Sequence, residues 1–142
     1  MSDIVVDSSV VAKWVVPEPD SPHAHRVVTD TQAAGGRLIV LDLVFPEVVN
    51  VIWKKHRQKL VTFEKAKGFL ADLMQFPVQA EPAARLLDRA FEIAVKYDRA
   101  VYDALFVALA HDLGIKGVTA DEPLYNTTHA DFPQIVLLRD WP

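Results

Sequence analysis

The chain has 142 residues, 51% of them apolar, enough to enclose one hydrophobic core and too few for two ordinary domains, so a single domain over residues 1–142 is expected. It contains no cysteine, which excludes disulfides, thiolate metal sites and a thiol nucleophile. With 15 Lys and Arg against 19 Asp and Glu the net charge is -4, which argues against broad electrostatic capture of nucleic acid by the whole surface.

The opening stretch MSDIVVDSSVVAKWVVPEPD lacks the basic segment and uninterrupted apolar core of a secretory signal. No apolar run elsewhere approaches the roughly 18 residues of a membrane span. These features lead to the expectation of a soluble cytoplasmic protein with no membrane contact.

Ile4 to Val6 is a β-branched run that reads as a buried strand ending at Asp7. Ser8 or Ser9 can cap a helix carrying Val10, Val11, Trp14 and Val15, which stops at Pro17. PEPDSP is a connector, and a second helix runs from about Pro22 to Ala34 before Gly35 and Gly36. Arg37 to Leu41 reads as a second strand. Phe45-Pro46-Glu47 opens a third helix, with Val48, Val51 and Ile52 as its apolar stripe and KKHRQK as its basic end. Thr62 caps a fourth helix to about Met74, FPVQAEP holds a short strand, and Ala83 to Tyr97 is amphipathic and helical. Residues 99–114 give the strongest helical period, closed by Gly114; Lys116 to Thr119 is a strand just before Asp121. Glu122 to Thr128 is a turn or short helix, and Ile135 to Leu138 a last strand.

Strands alternating with helices imply a mostly parallel sheet covered on both faces, an α/β sandwich. Ligand sites in that architecture lie beyond the carboxyl ends of the strands, where Asp7 and Asp121 fall. Glu47 and Asp103 lie near helix N-termini, where free N–H groups and the helix dipole favour an anion. Carboxylates gathered in one crevice repel one another unless a cation is present, and an all-oxygen set suits Mg²⁺ or Mn²⁺. Such an ion can activate water and offset charge on a phosphoryl group, the chemistry of phosphodiester hydrolysis. Taken singly, each acid can also be read as a helix-capping, first-turn or turn residue; only their joint placement suggests a site.

Four ordered segments carry a resemblance. IVVDSSVVAKWVVPE, LVFPEVVNVIWK, VYDALFVALAHDLG and GVTADEPLYN resemble the PIN-domain family, and within it the VapC-like toxins of type II toxin–antitoxin pairs. Asp7, Glu47, Asp103 and Asp121 occupy the family's acidic positions, with Asn50 in its E-x-x-N arrangement. The resemblance implies a three-layer sandwich around a five-stranded, mostly parallel sheet. It implies Mg²⁺ or Mn²⁺ held by Asp7, Asp103, Asp121 and Glu47, endonucleolytic hydrolysis of RNA, a homodimer, and a small antitoxin lying across the active groove. Glu47 is expected to bind the ion or orient its water, and Asn50 to fix that carboxylate or touch phosphate. Thr119 and Ser8 are expected as local hydrogen-bonding groups. Glu122 or Asn126 would supply a fifth ligand if one exists.

For RNA contact, Lys13, Lys54 and Arg57 are the candidates, although basic residues ending the Glu47 helix also suit its dipole. His23, His25, His111 and His129 show no metal-ligand spacing and read as surface residues. Trp14 and Trp53 are expected in a core or dimer interface, and Tyr97, Tyr102 and Phe106 mostly in the core. Two other readings stay open: a non-catalytic protein of the same fold that receives a basic peptide, and a nuclease specific for DNA structures. Carboxylates alone do not separate RNA from DNA, because 2′-hydroxyl contacts and substrate shape do.

Overall fold

A computed structural model describes residues 2–142. Five strands form its sheet: β1 (Ile4–Val6), β2 (Leu38–Leu41), β3 (Val78–Glu81), β4 (Lys116–Thr119) and β5 (Ile135–Leu137). Every neighbouring pair is parallel, in the order β3-β2-β1-β4-β5. Central β1 and β2 are buried at every residue, as their unbroken Ile, Val and Leu runs require when both faces are covered, whereas the edge strand β3 is more polar and more open.

The helices are α1 (Ser8–Val15), α2 (Ser21–Ala33), α3 (Val44–Arg57), α4 (Phe63–Gln75), α5 (Leu87–Tyr97), α6 (Val101–Leu113) and α7 (Glu122–Thr128). Helices α1 to α4 pack on one another, while α5 and α6 form a separate pair with α6 against β1, β2 and β4. The sheet is thus the middle of three layers, as expected. Ala104 to Ala110 of α6 are all buried, and the alanines among them let the helix approach the strands closely.

The strand order fixes where a site can form. From β1 the chain steps outward through β2 to β3, then crosses back to place β4 on the other side of β1. The connections above the carboxyl ends of β1 and β4 therefore diverge and leave a crevice at that reversal. Asp7 follows β1 directly, and Asp121 lies just beyond β4.

Local chemistry explains most element ends. The Thr62 side chain accepts from the Lys65 N–H at 3.1 Å and starts α4. Gly114, at φ 65°, ends α6 in the left-handed region that favours glycine. Three details differ from the sequence reading. The helix expected from Ala83 splits into a 3-10 turn at Ala84–Leu86 followed by α5, since no side chain caps its start. The last strand stops at Leu137, where Leu138 turns to receive the Trp141 N–H at 3.0 Å. Helix α6 begins at Val101, because Asp98 is left-handed (φ 53°) and Ala100 extended, which holds Arg99 in the connector.

Trp14 is buried, stacks on Phe76 with ring centroids 4.9 Å apart, and donates its indole N–H to the Ala24 carbonyl at 2.9 Å. Phe106 joins the core. Trp53 does not, being 49% exposed with the Arg57 guanidinium over its ring. Tyr102 is 63% exposed, because burial along α6 begins only at Ala104.

Gly117 in β4 faces α6 so closely that a Cβ there would lie 2.9 Å from Phe106 Cζ and 3.1 Å from Ala110 Cβ. Gly117→Ala is expected to lower unfolding free energy by about 1–3 kcal/mol, the usual cost of overpacking. Urea unfolding checks this; an unchanged midpoint would show that α6 and β4 are not in close register.

Candidate active site

Asp7 is oriented by two hydroxyls. Ser9 Oγ and Thr119 Oγ1 each donate to Asp7 Oδ2 at 2.7 Å. The hydroxyls are themselves held by backbone donors: the Ala120 N–H reaches Ser9 Oγ at 2.9 Å, and the Asp121 N–H reaches Thr119 Oγ1 at 3.1 Å. A hydroxyl has one proton to give, so with those of Ser9 and Thr119 both directed at Asp7, none is left for the 3.3 Å contact between them. Asp7 makes no side-chain cap on α1, which removes the simplest local reason for an acid there. Burial raises its pKa above the ordinary value; the two hydroxyls oppose that rise, and the nearby charge of Asp103 adds to it.

Glu47 lies in the first turn of α3, where Ser8 Oγ donates to Oε2 at 3.4 Å. Burial, then the negative charge of Asp7, pushes its pKa up to about 7; the Ser8 hydroxyl opposes this and Asp103 reinforces it. Three carboxyls, from the residue after β1 and the first turns of α3 and α6, thus share one electrostatic environment.

Asp103, in the first turn of α6, and Asp121, the residue before α7, meet Arg99. The Arg99 Nη2 lies 3.1 Å from Asp103 Oδ2 and 3.8 Å from Asp121 Oδ2. Asp121 also has the turn role open to it from sequence, since its Oδ1 accepts the Leu124 N–H at 3.1 Å and caps α7. Among the described residues, no three His, Asp or Glu side chains are already drawn together as a cage for an ion. The donor set nevertheless fits a hard divalent cation: the oxygens belong to carboxylates, and after burial it is the negative charges of Asp7 and Asp103 that raise the Glu47 pKa.

The remaining candidates are placed as follows. Asn50 is exposed on α3, and the hydroxyl that meets Glu47 is that of Ser8. Lys13 is engaged by Glu18 at 2.7 Å and Asp20 at 3.0 Å, within the connection between α1 and α2. Lys54 and Arg57 are exposed on the last turn of α3. Glu122 pairs with Arg139 at 2.8 Å, and Asn126 is exposed on α7. His25 and His111 are exposed; His23 and His129 are partly covered.

Sequence reading missed Arg99 and gave Ser9 only a capping role. Arg99 had a signal, because a cation four residues from Asp103 suggests an ion pair at helical spacing. Ser9 had only its nearness to Asp7, since its other partners lie about β4.

A PIN domain sequence model matches residues 4–130. "Ribonuclease VapC3" of Pyrobaculum aerophilum is 38% identical over 123 residues, covering 85% of this chain and 91% of its own. The chain belongs to the PIN-domain family, among its VapC-like toxins. PAE2754 from Pyrobaculum aerophilum shares the fold with a TM-score of 0.71 and 22% identity, covering 96% of this chain and 84% of that one. A toxin–antitoxin complex from Klebsiella pneumoniae aligns with a TM-score of 0.63 and 12% identity, covering 96% of this PIN domain and 98% of the matched chain.

The Glu47 shift has a testable sign. Its folded pKa of about 7 exceeds the ordinary 4.5, so folding favours the protonated form. That contribution is present below the unfolded value and is lost as pH rises through about 7. In EDTA, Glu47→Gln, which cannot ionise, should exceed the native chain in stability at pH 8 by about 1–2 kcal/mol, a figure discounted for half-exposure, and match it near pH 4.5. Chemical denaturation at both pH values measures the difference; a gap independent of pH would contradict the burial of Glu47 beside the other carboxyls.

Proposed function

We propose that this PIN-domain protein is a Mg²⁺- or Mn²⁺-dependent endoribonuclease, the toxin of a toxin–antitoxin pair. Family membership supports a nuclease role, and the relative described as a ribonuclease favours RNA over DNA. The observation that carries the reading is the placement of Glu47 beside Asp7 and Asp103 at the carboxyl ends of the strands, where burial first and then the charges of those two acids push its pKa up to about 7.

Asp7, Asp103 and Asp121 are assigned as ligands of the ion, with Glu47 either joining them or orienting the attacking water. A bound divalent ion supplies activation of water and stabilisation of charge on the phosphoryl oxygens. The chain's own residues provide the placement. Ser9 and Thr119 fix the Asp7 carboxylate by its Oδ2, so its direction does not depend on a freely rotating side chain. Asp103 and Asp121 enter from first-turn and pre-helix positions whose backbones are held by α6 and α7. Among the basic candidates, Lys54 and Arg57 are the freer to meet phosphate, because Lys13 is paired with Glu18 and Asp20.

The proposed partners are RNA, a small antitoxin and a second copy of the chain. The likeness to a chain from a toxin–antitoxin complex and the acidic crevice support a small antitoxin with a basic segment. Leu87, Phe91 and Val95 recur every four residues as an exposed apolar row on α5, suited to self-association.

A second reading, a non-catalytic protein of the same fold, draws support from the existing pairing of Asp103 and Asp121 with Arg99. Cleavage of structured RNA with Mn²⁺ separates the two. The native chain should cut, EDTA should abolish cutting, and Asp7→Asn or Asp103→Asn should lower the rate by about 100-fold or more, in line with losing a main electrostatic element of a site. Equal rates for all three proteins would reject the assignment, and cleavage of matched DNA in preference to RNA would reject the substrate.

A further inference from the structure

Arg99 has no part in the sequence-derived site, yet it touches two of the four acids assigned to it. Its guanidinium lies 3.1 Å from Asp103 and 3.8 Å from Asp121, and its side chain is only 22% exposed. Its Nε is buried and has no hydrogen-bond partner, so the pairing does not satisfy every donor of the guanidinium. A buried donor without a partner carries a desolvation cost that moving the head group would relieve. The backbone beneath it is well defined: the Arg99 N–H bonds the Ala94 carbonyl at 3.1 Å, between left-handed Asp98 and extended Ala100. The stem is therefore anchored while a long side chain carries the charge.

We propose that Arg99 is the built-in counter-ion of the metal-free site, holding Asp103 and Asp121 together until a divalent cation displaces its guanidinium. This rests on the reading of those two acids as ion ligands. A guanidinium and a divalent cation both compensate carboxylate charge, and oxygens that pair with the first are less available to coordinate the second. Arg99 thus lowers the repulsion that opposes folding of the empty site and, by the same contact, weakens ion binding.

The two effects are linked and can be read without any cleavage assay. Native protein, Arg99→Gln and Arg99→Lys are melted in EDTA and in saturating Mn²⁺, and Mn²⁺ affinity is measured by calorimetry. Arg99→Gln should melt several degrees lower than the native chain in EDTA, and the gap should shrink or vanish in Mn²⁺. Its Kd for Mn²⁺ should fall about tenfold, equivalent to about 1.4 kcal/mol. Arg99→Lys, which keeps the charge without the planar fork, should lie between the two.

A purely structural arginine would lower melting equally with and without Mn²⁺ and leave the Kd unchanged. An arginine that orients the acids for the ion would raise the Kd on removal. Either result overturns the proposal while leaving the metal reading intact. If Mn²⁺ fails to bind or stabilise all three proteins, the ion-binding reading itself fails, and ion displacement of Arg99 with it.

Discussion

Burial of carboxyl groups, reinforced by their mutual repulsion, is the constraint that the arrangement of this molecule answers. Each acid is relieved differently. Asp7 receives two hydroxyl protons, Asp103 and Asp121 share a guanidinium, and Glu47 is left with a pKa near 7. Hydroxyls and an arginine lower the cost of negative charge without filling it with a permanent partner of matching valence. On the proposed reading, acids relieved in this way would persist without a cation and still accept one.

The topology supplies the acids from positions that need little side-chain reach. Asp7 leaves the end of β1, the loop after β4 brings Asp121, and α3 and α6 start with Glu47 and Asp103 in their first turns. The two first-turn acids gain from unpaired helix N–H groups and the dipole, which partly offset burial and mutual repulsion. Close packing links this placement to the core: Gly117 lets β4 lie against Phe106 and Ala110 of α6, so the Thr119 end of the strand and the Asp103 end of the helix share one rigid contact. A change in that interior contact would shift the hydroxyl that orients Asp7 relative to the acid that repels it.

Much of this was legible in the sequence because local rules acted alone. The β-branched run at Ile4 to Val6 and the cap at Thr62 need no distant partner to be read, and neither does the glycine after Leu113. The crevice was legible as a consequence of alternating strands and helices. What stayed hidden depends on which strands become neighbours. Ser9 acquires its role only because β4 lies beside β1, which brings Thr119 and the Ala120 N–H to it across more than a hundred residues. Arg99 was hidden by a backbone reversal: a continuous helix through residues 99–114 would have made it an ordinary surface pair, whereas left-handed Asp98 and extended Ala100 turn it toward two acids. Tyr102 lies outside the core expected for it, and Trp53 outside the core though not thereby outside an interface, because an aromatic in an apolar sequence neighbourhood need not lie on the buried side of its helix.

Charge balance ties the site to its proposed substrate. Several of the chain's cations are committed to its own acids: Lys13 to Glu18 and Asp20, Arg37 to Asp3, Arg85 to Asp112 and Arg139 to Glu122. With a net charge of -4, the surface offers RNA little general attraction, and each phosphate contact has to come from a few local cations. In the metal-free state Arg99 is turned inward to Asp103 and Asp121. An ion that took over those carboxylates would add positive charge to the crevice and release a guanidinium at its edge, so one event would strengthen phosphate binding twice. Under the proposed function, substrate affinity and ion occupancy would then rise together, a route by which an acidic chain could act on a polyanion without a basic surface.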